Sequence, residues 1–337
     1  MKYFTKLFLT VILVTSILGV ILYIIDPYDK FSHNYLHLKA KGVFDNRTNK
    51  FLYLKANKNI YEAFILGSSR GMQLQPKIVQ KYTGYKTFNY SVFTANPQDY
   101  LAMTRYIIQT QKPKLIWIHL DFFALNKNMP TEPELFKSPL KQYVNNKNSS
   151  VSQSDSSFIY FATHYYSYNA FWDAYIVVDN NIKGKIEKHF SQDGVNFPAI
   201  QTKKTYPLLY SYWDHEYKNY TISAQRLEML KEIKHLCEEN HIKLLISLSP
   251  VSYLHWQKIK TDPQLYAQIP RVKKELCSIF GGFEDFFNDK TENYSDAKFW
   301  IDSVHPSTLM GEQITNDMFS NQKSSLVQDY TCTKQPR

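Results

Sequence analysis

The stretch Phe64-Ile65-Leu66-Gly67-Ser68-Ser69-Arg70 is a short apolar run that ends at a small, polar turn. An apolar run that stops at glycine and serine is typical of a buried strand that delivers those serines to the carboxyl edge of a sheet. Open α/β sheets bind their ligands at that edge. The stretch therefore predicts an α/β protein with a serine-bearing site directly after its first strand.

The segments downstream predict a parallel sheet. Asn96, Pro97 and Asp99 supply an N-cap, a proline at the first helical position and an acid in the first turn, so a helix should begin here and run to about Gln111. An apolar strand over 115–120 follows and ends at Asp121. Strand–helix–strand order implies parallel strands with right-handed crossovers. Similar patterns predict strands at 87–91, 243–249 and 283–286, and helices at 223–240, 263–280 and around 310–318.

These elements predict a three-layer α/β domain over residues 59–322, a parallel sheet flanked by helices. Its insertion, at about 127–220, is polar at first and then dense in aromatic residues over 158–178. This aromatic stretch should be helical, and it either packs on the core or forms a lid or wall for stacking sugar rings. Residues 26–58 are predicted to be a juxtamembrane connector with some helix around 35–41, and residues 323–337 a C-terminal tail.

The amino terminus contains an uncharged apolar run over 7–25, long enough for a bilayer span of about 20 residues. Lys2 and Lys6 precede the run, which predicts a cytoplasmic N-terminus. A cleaved signal peptide is the alternative, but its apolar region is roughly 7–15 residues long and ends at a small-x-small site. The sequence favours residues 1–25 as a cytoplasmic stub and signal-anchor, with the main domain in the periplasm or outside the cell.

Composition narrows the functional classes. The net charge of +10 is spread along the 337 residues. It indicates either a basic solvated surface or a surface that attracts anionic lipid or acidic glycan. No zinc-finger spacing, Walker loop or dinucleotide fingerprint is present, so no cofactor, metal or nucleic-acid partner is expected. The three cysteines, Cys237, Cys277 and Cys332, form no CxxC pair. Outside the cytoplasm, Cys237 and Cys277 are the favoured bridge, but free buried cysteines fit the sequence equally well.

A second stretch, Phe299-Trp300-Ile301-Asp302-Ser303-Val304-His305-Pro306, places an acid and a histidine three residues apart before the last helix. A serine hydroxyl is a weak nucleophile that needs a base, and the base needs a group that holds it in one tautomer. A serine of the first turn, Ser68 or Ser69, is therefore the predicted nucleophile, with His305 as its base and Asp302 as the orienting acid.

Two motifs resemble the SGNH (GDSL-type) hydrolase superfamily. Gly67-Ser68-Ser69 is similar to its Gly-Asp-Ser block, and Asp302-Ser303-Val304-His305 is similar to its terminal Asp-x-x-His. The resemblance covers about 61–92, 115–126 and 223–319, and it implies a flavodoxin-like fold with Ser69 as the nucleophile. The apolar start followed by Ile25-Asp26-Pro27-Tyr28 resembles a membrane-anchored branch that accompanies O-acylation of cell-surface or secreted polysaccharides.

The chain departs from that superfamily at the expected oxyanion hole. Members use the N–H of the serine, a glycine N–H in a second block and an asparagine side chain in a third. Here the second block runs from Asn89 to Thr94, with Thr94 in place of the glycine, and Asp121 replaces the asparagine. An ionised carboxylate repels an oxyanion, so Asp121 is either neutral, paired with Arg70, or outside a differently built hole.

Arg70 and Asn89 complete the candidate oxyanion or substrate-binding residues. Arg70 is either an anion-binding group for an acidic glycan or the structural partner of a carboxylate. The resemblance implies a serine esterase or an O-acetyltransferase acting on a polysaccharide, where water or a sugar hydroxyl is the acceptor. The alternatives are a non-catalytic glycan-binding or scaffolding partner of a membrane acyltransferase, and an ordinary surface lipase or carbohydrate esterase.

Overall fold

The computed structural model describes residues 2–27, 35–36, 38, 46–132, 135–136, 138–144, 168–183, 190–196 and 210–331. The chain forms two compact units, one made of Met1–Asn46 and Lys147–His189 and the other of Arg47–Asn146 and Phe190–Arg337. Most of the helix expected around 35–41 and the first part of the aromatic stretch at 158–178 lie outside the described residues.

The larger unit is built on a six-stranded sheet. Its strands are β1 (Ala63–Gly67), β2 (Thr87–Asn89), β3 (Leu115–Leu120), β4 (Lys243–Leu248), β5 (Gly282–Asp285) and β6 (Gln328–Thr331). They lie in the order β2-β1-β3-β4-β5-β6. The first five strands are parallel, and β6 is antiparallel to β5. The predicted α/β fold with a parallel sheet is confirmed, and β6 adds an edge strand inside the segment that the sequence assigns to a tail.

Eleven α-helices lie within the described residues. The sequence predicts one helix over 263–280, but the structure has two in this range. Because Pro270 has no N–H to donate to the carbonyl of Tyr266, the first helix ends at Tyr266. The helices are α1 (Lys2–Ile25), α2 (Asn46–Ala56), α3 (Pro76–Thr83), α4 (Pro97–Thr110), α5 (Tyr168–Ile182), α6 (Tyr210–Tyr217), α7 (Ala224–Glu239), α8 (Tyr253–Lys260), α9 (Pro263–Tyr266), α10 (Gln268–Phe280) and α11 (Thr308–Phe319).

Helices cover both faces of the sheet, because side chains alternate along each strand. Phe64 and Leu66 of β1 belong to a core shared with α4, α7 and α10. Ala63 and Ile65 belong to a second core shared with α3 and α11. Since β1 has β2 on one side and β3 on the other, the chain reverses direction across the sheet at β1, which is where open α/β sheets bind ligands.

The smaller unit contains α1 and α5. The segment Tyr3–Ile25 of α1 is long and apolar enough to cross a membrane, and an 18-residue window within it has a mean hydropathy of 2.7. Most of α1 is exposed, but Leu22 is buried against Ala170 and Ala174 of α5. The two helices are therefore packed together near the C-terminal end of α1.

The predicted bridge between Cys237 and Cys277 is wrong. Cys237 is a free thiol buried in the core, on the inner face of α7. Cys277 of α10 is disulfide-bonded. The third cysteine, Cys332, lies outside the described residues.

Candidate active site

The turn after β1 is held by hydrogen bonds to its backbone. β1 ends at Gly67, and Ser69–Gly71 forms a single 3-10 turn capped by the hydroxyl of Ser68, which accepts from the N–H of Arg70 at 3.1 Å. The side-chain amide of Asn89 donates to the carbonyl of Gly71 at 2.8 Å. This buried asparagine of β2 therefore supports the turn that presents Ser69.

The loop before α11 presents the predicted acid and base. Trp300 and Pro306 form an isolated antiparallel bridge, and the N–H of Ile301 donates to the carbonyl of His305 at 2.9 Å. The indole of Trp300 is fully buried and donates to the carbonyl of Tyr294. The loop is thus closed at its base and anchored in the core.

A close helix approach brings this loop to the serine turn. Gly311 of α11 meets the segment after Ser69 so closely that a Cβ there would overlap the carbonyl of Gln73. Thr308, at the start of the same helix, donates to the side chain of Gln73 at 2.9 Å. The contact holds the start of α11, and with it His305, against the turn.

Ser69, His305 and Asp302 form one hydrogen-bonded series. The Oγ of Ser69 lies 2.9 Å from Nε2 of His305, across 236 residues of sequence. The Nδ1 of the same ring lies 2.7 Å from Oδ2 of Asp302. The structure therefore brings the three predicted residues together in the order that nucleophile, base and orienting acid require.

Asp302 is held as a carboxylate. Burial raises the pKa of its carboxyl, but the His305 side chain and the N–H groups of Val304 and His305 outweigh this and lower it below its ordinary value. Both N–H groups donate to Oδ1 at 2.8 Å, which leaves Oδ2 for the ring. An ionised Asp302 fixes the proton of His305 on Nδ1, so Nε2 faces Ser69 as an acceptor.

Arg70 belongs to a buried ionic cluster behind the serine. Its side chain is 1% exposed, with Nη2 at 2.6 Å from Glu216 and Nη1 at 3.5 Å from Asp121. The guanidinium also lies over the ring of Phe123, 4.6 Å from its centroid. Arg70 is therefore occupied within the protein, in the manner of a structural partner of carboxylates.

Asp121 is fully buried at the end of β3. Burial raises the pKa of its carboxyl, and the charge of Arg70 offsets this only in part. The hydroxyls of Ser68 and Ser249 lie near enough to lower the pKa further, but neither meets Oδ2 with hydrogen-bond geometry. Oδ2 thus has no hydrogen-bond partner in the described part of the chain.

Asp121 and Ser69 lie at matching positions on adjacent strands. His119 of β3 pairs with Gly67 of β1, and each candidate residue follows its strand partner by two positions. Neighbouring strands are about 4.8 Å apart. The Asp121 carboxyl is therefore delivered to the same edge as the serine, on the side where the sheet reverses.

Thr94 adopts a backbone conformation that glycine normally occupies. The chain after β2 continues along β1, with the N–H of Val92 donating to the carbonyl of Gly67 at 3.0 Å. Thr94 follows with a φ of 52°, which is an outlier for a β-branched residue. The N–H groups of Thr94 and Ser69 donate to no group within the described ranges. Two backbone donors are thus left free beside the serine turn.

Thr94→Gly should raise the stability of the fold. Strained φ values cost about 1–3 kcal/mol, whereas a glycine costs about 0.5–1 kcal/mol in chain entropy, so the net gain should be about 1 kcal/mol. Thermal unfolding of the full chain measures the change. Thr94→Ala keeps the Cβ and should gain less, and equal or lower stability of the glycine variant would contradict a strained turn.

Arg47 of α2 holds the Thr94 turn from behind. Its Nη2 donates to the carbonyl of Phe93 at 2.6 Å, and its Nε donates to Asp99 at 2.7 Å. The carbonyl of Phe93 and the N–H of Thr94 belong to one trans peptide, in which they point in opposite directions. Binding of the carbonyl by Arg47 therefore fixes the direction of the free N–H.

The sequence does not identify three residues of this site, namely Arg47, Glu216 and Gly311. Arg47 and Glu216 lie in segments assigned to a connector and to an insertion. Gly311 breaks the apolar pattern of a helix, and an isolated glycine there is the one local signal of a close approach.

The sequence matches no protein-family model, and it matches no curated protein. The fold and the geometry of the site are therefore the basis for a functional assignment.

Proposed function

We propose that this protein is a membrane-anchored serine esterase or O-acetyltransferase of the SGNH type, acting on a cell-envelope or secreted polysaccharide. The observation that carries the proposal is the series Ser69–His305–Asp302, joined at 2.9 and 2.7 Å. The strand order β2-β1-β3-β4-β5 supports it, because flavodoxin-like sheets have this order and bind ligands at the same edge.

The first half of the reaction acylates the serine. Ser69 Oγ attacks the ester carbonyl while Nε2 of His305 takes its proton, and the tetrahedral intermediate carries the negative charge on the former carbonyl oxygen. Collapse of the intermediate expels the alcohol, which receives the proton from His305. The acyl group then remains on Ser69 as an ester.

The second half removes the acyl group. His305 takes a proton from the acceptor, which attacks the Ser69 ester, and then returns that proton to Ser69 Oγ as it leaves. Water as the acceptor releases a free acid, and a sugar hydroxyl yields an acylated glycan. Asp302 stabilises the imidazolium in both halves without itself taking the proton.

The oxyanion hole consists of the free N–H groups of Ser69 and Thr94 and of a neutral Asp121. One guanidinium faces two buried carboxyls, so the cluster would hold an excess negative charge if both were ionised, which is costly. Burial raises the pKa of both carboxyls, and Glu216 has the shorter contact with Arg70, so we assign Glu216 as the carboxylate. Asp121 is then the carboxylic acid, and the proton on its unpaired Oδ2 is a donor.

α1 supports the membrane location. Its segment Tyr3–Ile25 of 23 residues spans about 34 Å at 1.5 Å per residue, against a hydrocarbon thickness of about 30 Å. Lys2 and Lys6 at its start favour a cytoplasmic N-terminus, with the catalytic domain in the periplasm or outside the cell.

A chromogenic acetyl ester tests the activity. The full-length chain in detergent should release the chromophore with saturation kinetics, and an added oligosaccharide acceptor should divert acetyl groups to sugar if the protein is a transferase. A folded chain that neither cleaves the ester nor reacts with a serine-directed fluorophosphonate would favour the non-catalytic glycan-binding or scaffolding role instead.

Arg47→Met should lower kcat about 10–100-fold, because the Thr94 N–H loses its fixed direction and complete loss of an oxyanion donor costs about 10²–10³-fold. Arg105→Met is the matched control, since Arg105 is also a largely buried arginine that binds backbone carbonyls, those of Tyr143 and Val144. Both variants should unfold at lower temperature, but only the first should lose turnover. Equal kcat in the two variants would contradict the orienting role.

A further inference from the structure

The outer face of α5 carries two exposed aromatic side chains. Trp172 is 53% exposed and Tyr175 is 58% exposed, and their ring centroids are 5.5 Å apart. The opposite face of the helix is buried and small, with Ala170, Ala174 and Val177. Two adjacent exposed aromatic rings form a patch of the kind that marks a contact with lipid or with another protein.

The contact between α5 and α1 places this aromatic face at a definite depth. Leu22 of α1 is packed against Ala170 and Ala174, and Ile25 and Phe171 adjoin the same cluster. Leu22 is three residues, or about 4.5 Å, from the end of the apolar segment. If α1 spans the bilayer, the first half of α5 lies where the hydrocarbon meets the headgroups.

An ion pair near the far end of α5 agrees with this position. The aromatic pair is on the half that contacts α1, whereas Asp179 and Lys183 near the other end form an ion pair at 2.7 Å. Trp and Tyr are enriched at membrane interfaces because their rings prefer the apolar side and their N–H and O–H groups prefer the polar side. Ionic groups belong in the headgroup or water layer.

We infer that α5 is a second membrane contact, an interfacial helix whose Trp172–Tyr175 face lies among the lipid headgroups and upper acyl chains beside the exit of α1. The inference rests on the proposed membrane anchor but not on the proposed chemistry at Ser69. Its partner is the lipid of the same bilayer, and it makes residues 168–183 part of the anchor rather than a lid or wall for sugar rings.

The tryptophans of the chain make the inference directly measurable. Trp117, Trp256 and Trp300 are buried and Trp213 is partly buried, so Trp172 is the one exposed tryptophan of the five. The full-length protein is reconstituted into phosphatidylcholine bilayers whose lipids carry bromine at shallow acyl positions. Bromolipids should quench a clear fraction of the emission, and Trp172→Phe should lose most of that quenching, whereas the control Trp213→Phe should retain it.

Each other outcome overturns the inference. Quenching that persists in Trp172→Phe, or a Trp172 quenched by acrylamide from water and not by bromolipid, would show that this face is not in the lipid. Alkaline carbonate extraction separates this from the anchor itself. Protein that remains in the membrane without Trp172 quenching refutes only the interfacial helix, whereas protein that is extracted refutes the anchor and the helix together.

Discussion

Ser69→Ala is expected to abolish labelling of the full-length protein by a serine-directed fluorophosphonate and to reduce kcat about 10⁶-fold, as loss of the nucleophile does in other triads. The reason is geometric, because Ser69 Oγ is the hydroxyl that lies 2.9 Å from His305 Nε2. Gel fluorescence of the labelled protein and initial rates on an acetyl ester measure the two effects.

The controls for this variant separate chemistry from folding. Ser278→Ala removes an exposed hydroxyl on α10 that bonds only to its own helix, and it should leave labelling unchanged. His305→Ala should suppress labelling as strongly as Ser69→Ala, because the hydroxyl then has no base. If Ser69→Ala is labelled at the wild-type rate, the reactive serine lies elsewhere, and this result would contradict the proposed activity.

The parts of this site that sequence predicts are those with local signals. The strand before Ser69, the capped start of α4 and the Asp-x-x-His loop are each readable within a few residues, because strand ends, helix caps and short motifs are local features. Their spatial meeting follows from topology, since parallel strands deliver their carboxyl ends to one edge.

The parts that sequence does not predict depend on distant contacts. Glu216 meets Arg70 across 146 residues, and no local pattern distinguishes it from a solvated acid. The edge strand β6 is only four residues long and polar, so it has no apolar run to mark it. Cysteine spacing also does not predict the bonding state. It favours a bridge between Cys237 and Cys277, whereas Cys277 is disulfide-bonded and Cys237 is a free thiol.

The buried ion cluster leads to a counterintuitive expectation for Glu216. Glu216→Gln removes the carboxylate that holds Arg70 at 2.6 Å and leaves Asp121 as the other carboxyl against that guanidinium. Asp121 should then ionise and repel the oxyanion, so kcat should fall by about the 10²–10³-fold that the loss of one donor costs. A residue outside the reaction would thus act through the protonation of another.

Asp121→Asn provides the decisive comparison, because an amide donates without titrating. The single variant should keep most of the activity, and adding it to Glu216→Gln should restore what Glu216→Gln lost. Asp121→Ala is the matched variant without a donor, and it should lose about 10²–10³-fold. If the double variant is no better than Glu216→Gln alone, then Asp121 is not the donor and Glu216 has only a structural role.

The pH dependence of activity is a further test of whether Asp121 carries a proton. In the proposed oxyanion hole the acid form of Asp121 is the donor, so wild-type activity should fall as pH rises through the pKa of Asp121, which burial raises above its ordinary value. Glu216→Gln should move this loss to lower pH, because Arg70 then favours the ionised form of Asp121, and Asp121→Asn should remove the loss entirely. A high-pH limb that persists unchanged in Asp121→Asn would assign it to another group and leave the oxyanion with the two backbone donors alone.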